Sequence, residues 1–437
     1  MTRTAALSAF TAIGAASLAS PALAAPALLA HQAPLVIDNA ATAWILTSTA
    51  LVLLMTLPGL ALFYGGMVRK KNIISVIAQS AAAFALVSVL WFLVGYSLSF
   101  GAAPDAVNGL IGGVQAAFLN GVTMQTAHSL LPGLPELLFV SFQMTFAIIT
   151  PALIAGAFAE RMKFSASLLF FALWHLIVYA PICHQVWGGG YLGGLGVLDF
   201  AGGAVVHVNA GVAGLVCALV LGPRHGFGRD NMAPANLVYS AIGTGLLLVG
   251  WIGFNAGSAG AADALAATAA FNTILAAAAA ALGWMAIEWF DRKRPTLLGL
   301  LSGIVGGLVA ITPAAGFVDP KGAFFIGLIA GPACYAGAVW LKHALKYDDS
   351  LDAFGVHGIG GILGALLTGV FATTSVNALA EGATVWKQAV GLAGAIAWSA
   401  AGTFLVLMIC KFTTGLRVAR DEEVEGLDYT QHGEAIH

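Results

Sequence analysis

Residues 199–214 read DFAGGAVVHVNAGVAG, and the reading of this stretch decides the fold. It sets Asp199 and His207 in or beside a run of small and apolar residues of the kind that crosses a bilayer. Ionisable residues at membrane depth are costly, with estimates from about 3 to more than 10 kcal/mol for a charge at the bilayer centre, so each one points to a functional site. A second stretch, residues 352–364, reads DAFGVHGIGGILG and repeats the theme. Aligned on His207 and His357, both have Val immediately before the histidine and Gly four and seven residues after it. Two histidines on matching glycine-lined faces imply two helices that share an axis.

The composition agrees with a membrane reading. Of 437 residues, 59% are hydrophobic and 9% charged, against roughly 25% charged in a soluble domain, and the mean hydropathy is +0.90. The chain is expected to be an all-α integral membrane protein. Its net charge of -2 and scattered basic clusters exclude a nucleic-acid-binding stripe. Residues 1–24 read as a cleavable signal peptide, with Arg3 in the n-region, a short apolar core and Ala22-Leu23-Ala24 before the cut; a first membrane helix is the alternative. Cys183, Cys217, Cys334 and Cys410 show no paired spacing and read as small core residues, although His184 beside Cys183 raises the question of a metal.

Crossing ~30 Å of hydrocarbon takes ~20 apolar residues. Eleven such runs occur, at about 44–66, 74–100, 135–158, 165–184, 203–222, 236–257, 265–288, 297–315, 323–343, 354–373 and 389–411. Their connections alternate in charge. Fifteen basic residues fall on one side, in clusters around Arg69, Arg161, Arg224, Arg292, Lys342 and Lys411, while Lys321 and Lys387 fall on the other and Arg3 completes the eighteen. The positive-inside rule then puts the N-terminus outside and the C-terminus in the cytoplasm. Helices 5 and 10 run in opposite directions, so their matched histidine faces predict an inverted repeat, helices 1–5 against 6–10, with an eleventh added. The domains are a signal peptide at 1–24, a transmembrane domain at 25–411 and an acidic tail at 412–437, either solvated or a docking surface for a regulator.

Around His207 the outer ends of three helices offer aromatic faces. Phe142 and Phe146 stand at i, i+4; Trp187 ends the fourth run; Trp251, Phe254 and Ser258 stand at i, i+3 and i+7. A cup of aromatic rings with one hydroxyl attracts a small cation by about 0.5–2 kcal/mol per ring, and without a ring of carboxylates it does not suit a metal-cation channel. Beneath it, low-dielectric burial disfavours charged imidazoles, so His207 and His357 suit a proton or a neutral amine better than Na+ or K+. Asp199 and Asp352 read as helix caps, with Asp199 close enough to add negative potential to the cup. Glu160 beside Arg161 reads as a membrane-edge ion pair.

These residues resemble the ammonium transporter family, the bacterial members related to Rhesus glycoproteins. The resemblance rests on PGLALFYGGMVRKKN (58–72), GAFAERMKFSA (156–166), HQVWGGG (184–190), DFAGGAVVHVNA (199–210), GWIGFNAGSAG (250–260) and DAFGVHGIGGILG (352–364), in order along nearly the whole chain. It implies a homotrimer in the cell inner membrane with a pore through each subunit. Trp187, Ser258 and Phe142 would bind ammonium at the outer site, with Asp199 supporting it. Phe146 and Phe254 would form the gate, and His207 and His357 the twin histidines of the pore. Trp251 and Asp352 are supporting residues. The tail phrases GLRV (415–418), EGLD (425–428) and HGE (432–434) are similar to the family's C-terminal region, which implies a PII-type cytoplasmic signalling protein as partner. No cofactor, metal or nucleic acid is implied. Two rivals are an ammonium sensor signalling through the tail, and an intramembrane metalloenzyme built from Cys183, His184, His207 and His357, although no HExxH occurs.

Overall fold

The computed structural model describes residues 36–436, and among these the structure is helix and loop, with two isolated β-bridges (Met162 to Arg417, Val318 to Ala372). The signal peptide read at 1–24 lies outside the described residues. Among the described residues ten helices are long and apolar enough to cross a membrane: α1 (Asn39–Met67), α2 (Lys70–Phe100), α3 (Glu136–Phe158), α4 (Phe164–Gly194), α5 (Gly203–Leu221), α6 (Leu237–Gly257), α7 (Ala264–Arg292), α9 (Pro320–Leu345), α10 (Phe354–Phe371) and α11 (Val385–Thr413). A shorter apolar helix, α8 (Leu297–Ile311), completes the eleven. The chain is a multi-pass membrane protein.

Short polar side chains start many of these helices by accepting the amide hydrogens that a first turn leaves unpaired. Asp38, Asn236, Asp263, Thr296, Asp319 and Thr384 do so for α1, α6, α7, α8, α9 and α11. The innermost spans are α3 and α5, each with 78% of its apolar window buried, against 33% for α11. A site on α3 and α5 is therefore shielded from lipid by the other helices.

The histidine-bearing helices cross at their first turns, both of which are π-helical (Gly203–Val208 and Phe354–Gly358), a local widening frequent at functional sites. A methyl group on Gly211 would lie 2.2 Å from the Gly358 nitrogen, and one on Gly361 would lie 2.9 Å from a Val208 methyl and 3.1 Å from the Gly203 carbonyl. The glycine four residues after each histidine thus admits the opposite helix. The glycine seven residues on faces Ala157 of α3 in one case (Gly214) and Ala310 of α8 in the other (Gly364). Helices 3 and 8 are five apart, as are 5 and 10, so contacts recur with the period of an inverted 5+5 repeat.

One end of the bundle carries most of the basic residues, and charge pairing there is dense. Glu160 does not pair with its neighbour Arg161; it takes Arg69 (2.7 Å) and Arg224 (3.4 Å) instead. Arg224 also grips Asp348 in a bidentate pair at 2.9 Å, while Arg161 donates to Ser350 Oγ and the Asp348 carbonyl. The expectation of a Glu160–Arg161 pair fails because neighbours at the end of a helix point to different faces. The tail folds back on this end as two short helices, α12 (Arg420–Glu425) and α13 (Leu427–His432). Glu423 accepts from His225 N and pairs with Arg417, Asp428 accepts from Ser75 N near the start of α2, and Gln431 accepts from Phe164 N at the start of α4.

Candidate functional site

Where α5 and α10 cross, His207 Nδ1 and His357 Nδ1 are 3.3 Å apart. One ring must donate and the other accept, which requires opposite tautomers when both are neutral. His207 stacks on Trp251 (centroids 5.3 Å, 19°), and the Trp251 indole N–H donates to Thr312 Oγ1 at 2.9 Å. The two histidines line a cavity of about 10 Å³ whose other walls are apolar, among them Phe63, Ile149, Leu153 and Val305. That volume is near the lower limit for one water-sized molecule.

A larger vestibule of about 360 Å³ opens at the end opposite the basic one, lined by Phe142, Phe146, Trp187, Asp199 and Ser258 among others. Phe142 and Phe146 meet edge to face at 5.0 Å, and Phe146 meets Trp187 the same way at 5.9 Å. The Ser258 hydroxyl donates to the Phe254 carbonyl at 2.8 Å, leaving its oxygen lone pairs to accept. Phe146 and Phe254 lie 4.3 Å apart between the two cavities: Phe146 lines the vestibule, and Phe254 is 5.9 Å from His207. Both rings are buried, so vestibule and histidine cavity are separated by a pair of phenyl groups.

Asp199 opens α5. Its two carboxylate oxygens accept from Gly202, Gly203, Ala204 and Val205 N at 2.5–3.0 Å, while its carbonyl accepts the Trp187 indole N–H at 2.8 Å. Burial pushes the carboxyl up and the four amides pull it back, the balance lying above the ordinary carboxylate value. One residue therefore caps the helix carrying His207 and fixes the indole of the vestibule.

Asp352, read as the cap of α10, is not the cap. Its φ is +60°, and its side chain turns away to pair with Lys342. The capping carboxylate is Asp349, which accepts from Ala353 N at 3.1 Å and Phe354 N at 2.7 Å. Asp349 stands eight residues before His357, as Asp199 stands eight before His207; that spacing was the available signal. The sequence reading also missed Thr312, the partner of Trp251, and Gln143, a vestibule residue between Phe142 and Phe146 marked only by being polar within an apolar run. The other expected site residues, Phe142, Phe146, Trp187, Asp199, His207, Trp251, Phe254, Ser258 and His357, fall along one column. His184 stands apart, its Nδ1 and Nε2 lying 3.0 and 2.7 Å from the carbonyls of Ser99 and Asn108. Among the described residues, no group of three or more His, Cys, Asp or Glu is placed to hold a metal.

A sequence profile described as the Ammonium Transporter Family matches residues 43–436. A protein of Bacillus subtilis described as an ammonium transporter is 50% identical over 398 residues, covering 88% of this chain and 95% of that protein. The crystal structure of Mep2 from Saccharomyces cerevisiae superposes with a TM-score of 0.82 at 39% identity, over 88% of this chain and 89% of that one. A solved structure described as a Sensor Amt Protein also reaches 0.82, at 31% identity, over 90% and 98% of the two chains.

Proposed function

This chain belongs to the ammonium transporter family, and on that premise we propose that it recruits NH4+ in the aromatic vestibule, removes a proton near the Phe146–Phe254 pair and conducts NH3 past His207 and His357. The observation that carries this reading is the continuous column from a π-lined vestibule, through two phenyl rings, to a water-sized cavity with no charged wall. Trp187, Phe142 and Phe146 supply the cation–π attraction and Ser258 an acceptor. Beyond the phenyl pair an intact ion loses its hydration shell with little to replace it, a cost of tens of kcal/mol for an isolated charge in an apolar medium. Ammonium escapes that cost by leaving a proton behind, whereas K+ has none to give. The proton either returns to the vestibule or follows along the Nδ1–Nδ1 contact.

The vestibule faces outward and the basic end faces the cytoplasm, by the positive-inside rule. The family resemblance further supports a homotrimer in the cell inner membrane, with the docked tail as the surface for a PII-type signalling protein. The likeness to the Sensor Amt Protein favours a second reading, an ammonium sensor acting through the tail.

The test is an ammonium pulse on proteoliposomes with potassium as control. Ammonium-specific current means that one charge crosses per event; lumen alkalinisation above that of protein-free vesicles, without current, means that the protein conducts neutral NH3. Bound ammonium without either flux favours the sensor. The variant H207L/H357L is expected to lose ammonium flux or its selectivity over potassium, and unchanged ammonium-specific flux would sink the role given to the histidines.

A further inference from the structure

Gln143 lines the vestibule together with Phe142, Phe146, Trp187 and Ser258. Its amide oxygen Oε1 is buried and has no hydrogen-bond partner in the protein. A buried acceptor left unpaired costs about 1–3 kcal/mol, so in a folded protein it calls for an explanation. Apart from Ser258, the other polar side chains of this vestibule are already engaged. Both Asp199 oxygens are held by backbone amides, the Trp187 N–H is turned to the Asp199 carbonyl, and Asn377 Oδ1 accepts from Leu379 N. Ser258 has lone pairs to offer because its hydrogen is spent on Phe254. Gln143 stands three residues before Phe146 on α3, a spacing that puts the amide on the same face as that ring.

We propose that Gln143 Oε1 is a second hydrogen-bond acceptor of the outer ammonium site, pairing with Ser258 Oγ to select a cation by its N–H groups. The proposal rests on the ammonium reading above and adds a specificity-determining residue to it. A π-lined cup alone attracts any small cation. Two oxygen acceptors among aromatic faces suit NH4+, whose four N–H groups can be shared between oxygens and rings, and offer too few oxygens to replace the hydration shell of K+.

The experiment measures initial flux, as current or lumen alkalinisation, in proteoliposomes of the parent, Q143L and Q143E over a range of ammonium chloride concentrations, with and without potassium chloride as competitor. Loss of a hydrogen bond to a charged ligand predicts that Q143L raises the half-saturating ammonium concentration roughly tenfold. The loss should fall on half-saturation rather than on maximal flux, and potassium should compete more strongly. Q143E keeps an acceptor at the same reach and is expected to match the parent or saturate at lower concentration. Half-saturation of Q143L within twofold of the parent overturns the proposal, as does a Q143E variant as weak as Q143L, which would assign Gln143 to packing. If Q143L fails to assemble, Q143E alone decides, a raised half-saturation counting against the proposal. A parent protein without ammonium flux overturns the transport reading itself and this proposal with it.

Discussion

Trp187 serves the vestibule through two different parts of its side chain, the indole N–H and the ring face. Its N–H is tied to the Asp199 carbonyl at 2.8 Å, which fixes the plane of the ring, and its ring makes a T-shaped contact with Phe146. The two roles separate on substitution. W187L removes the ring and with it a cation–π attraction of about 0.5–2 kcal/mol, which is about 2- to 30-fold in affinity. W187F keeps a π face and loses the N–H, so its half-saturating ammonium concentration is expected between those of the parent and W187L. Concentration-dependent flux into proteoliposomes checks the order; W187L saturating like the parent would remove Trp187 from the site. At this scale the sequence was most readable where a residue broke its surroundings. His207 and His357 are conspicuous because an imidazole within an apolar run needs a reason. Gln143 and Thr312 are uncharged, and their importance comes from what stands opposite, a vestibule and an indole N–H.

The π-helical first turns of α5 and α10 depend on caps reaching in from outside the helix, five residues forward for the first amide of α10 and four for that of α5. For α10 the cap has a titration of its own. Burial first, and then the charge of Asp352, push the Asp349 carboxyl from the ordinary 3.8 up to about 6, against the opposing pull of Lys342 and the two amides. In the unfolded chain the residue titrates at its ordinary value, so between these two pH values the native state holds the extra proton. The contribution of Asp349 to stability is therefore complete below about pH 4 and is lost as pH rises through about 6. Thermal unfolding in detergent at pH 5 and pH 7.5 is expected to show the midpoint of D349N gaining on that of the parent at the higher pH; a difference independent of pH would mean that Asp349 titrates normally. The same cap marks the limit of what could be read at the level of elements. Helix positions were legible to within a few residues for most spans because apolar run length is a direct physical requirement of the bilayer. The choice between Asp349 and Asp352 was not, since it turns on a left-handed backbone at Asp352 that sends this side chain to Lys342.

At the scale of the molecule, the tail joins parts of the chain far apart in sequence. Arg417 donates to the carbonyl of Leu221, the last residue of the His207 helix, and pairs with Glu423, which in turn accepts from His225 N. Asp428 accepts from Ser75 N at the start of α2, and Val418 N donates to the Arg161 carbonyl next to the Arg224–Asp348 pair. Composition alone gave no sign of this order, because the tail has no apolar period and is held instead by side chains that take up backbone amides of other segments. Glu423 is the residue on which this arrangement can be tested, being buried and bonded to both a guanidinium and an amide. E423A leaves the His225 amide and the Arg417 guanidinium without that partner, a loss of about 1–3 kcal/mol in holding the tail down. Where opening and closing are fast relative to cleavage, protease sensitivity follows the open population, so trypsin should cut at Arg417 and Arg420 roughly 5- to 150-fold faster in E423A than in the parent. Unchanged cleavage would place the hold on the tail at Asp428 and Gln431 instead. Faster cleavage would show that the Glu423 contacts hold the tail against the end of α5, where Arg417 reaches the Leu221 carbonyl.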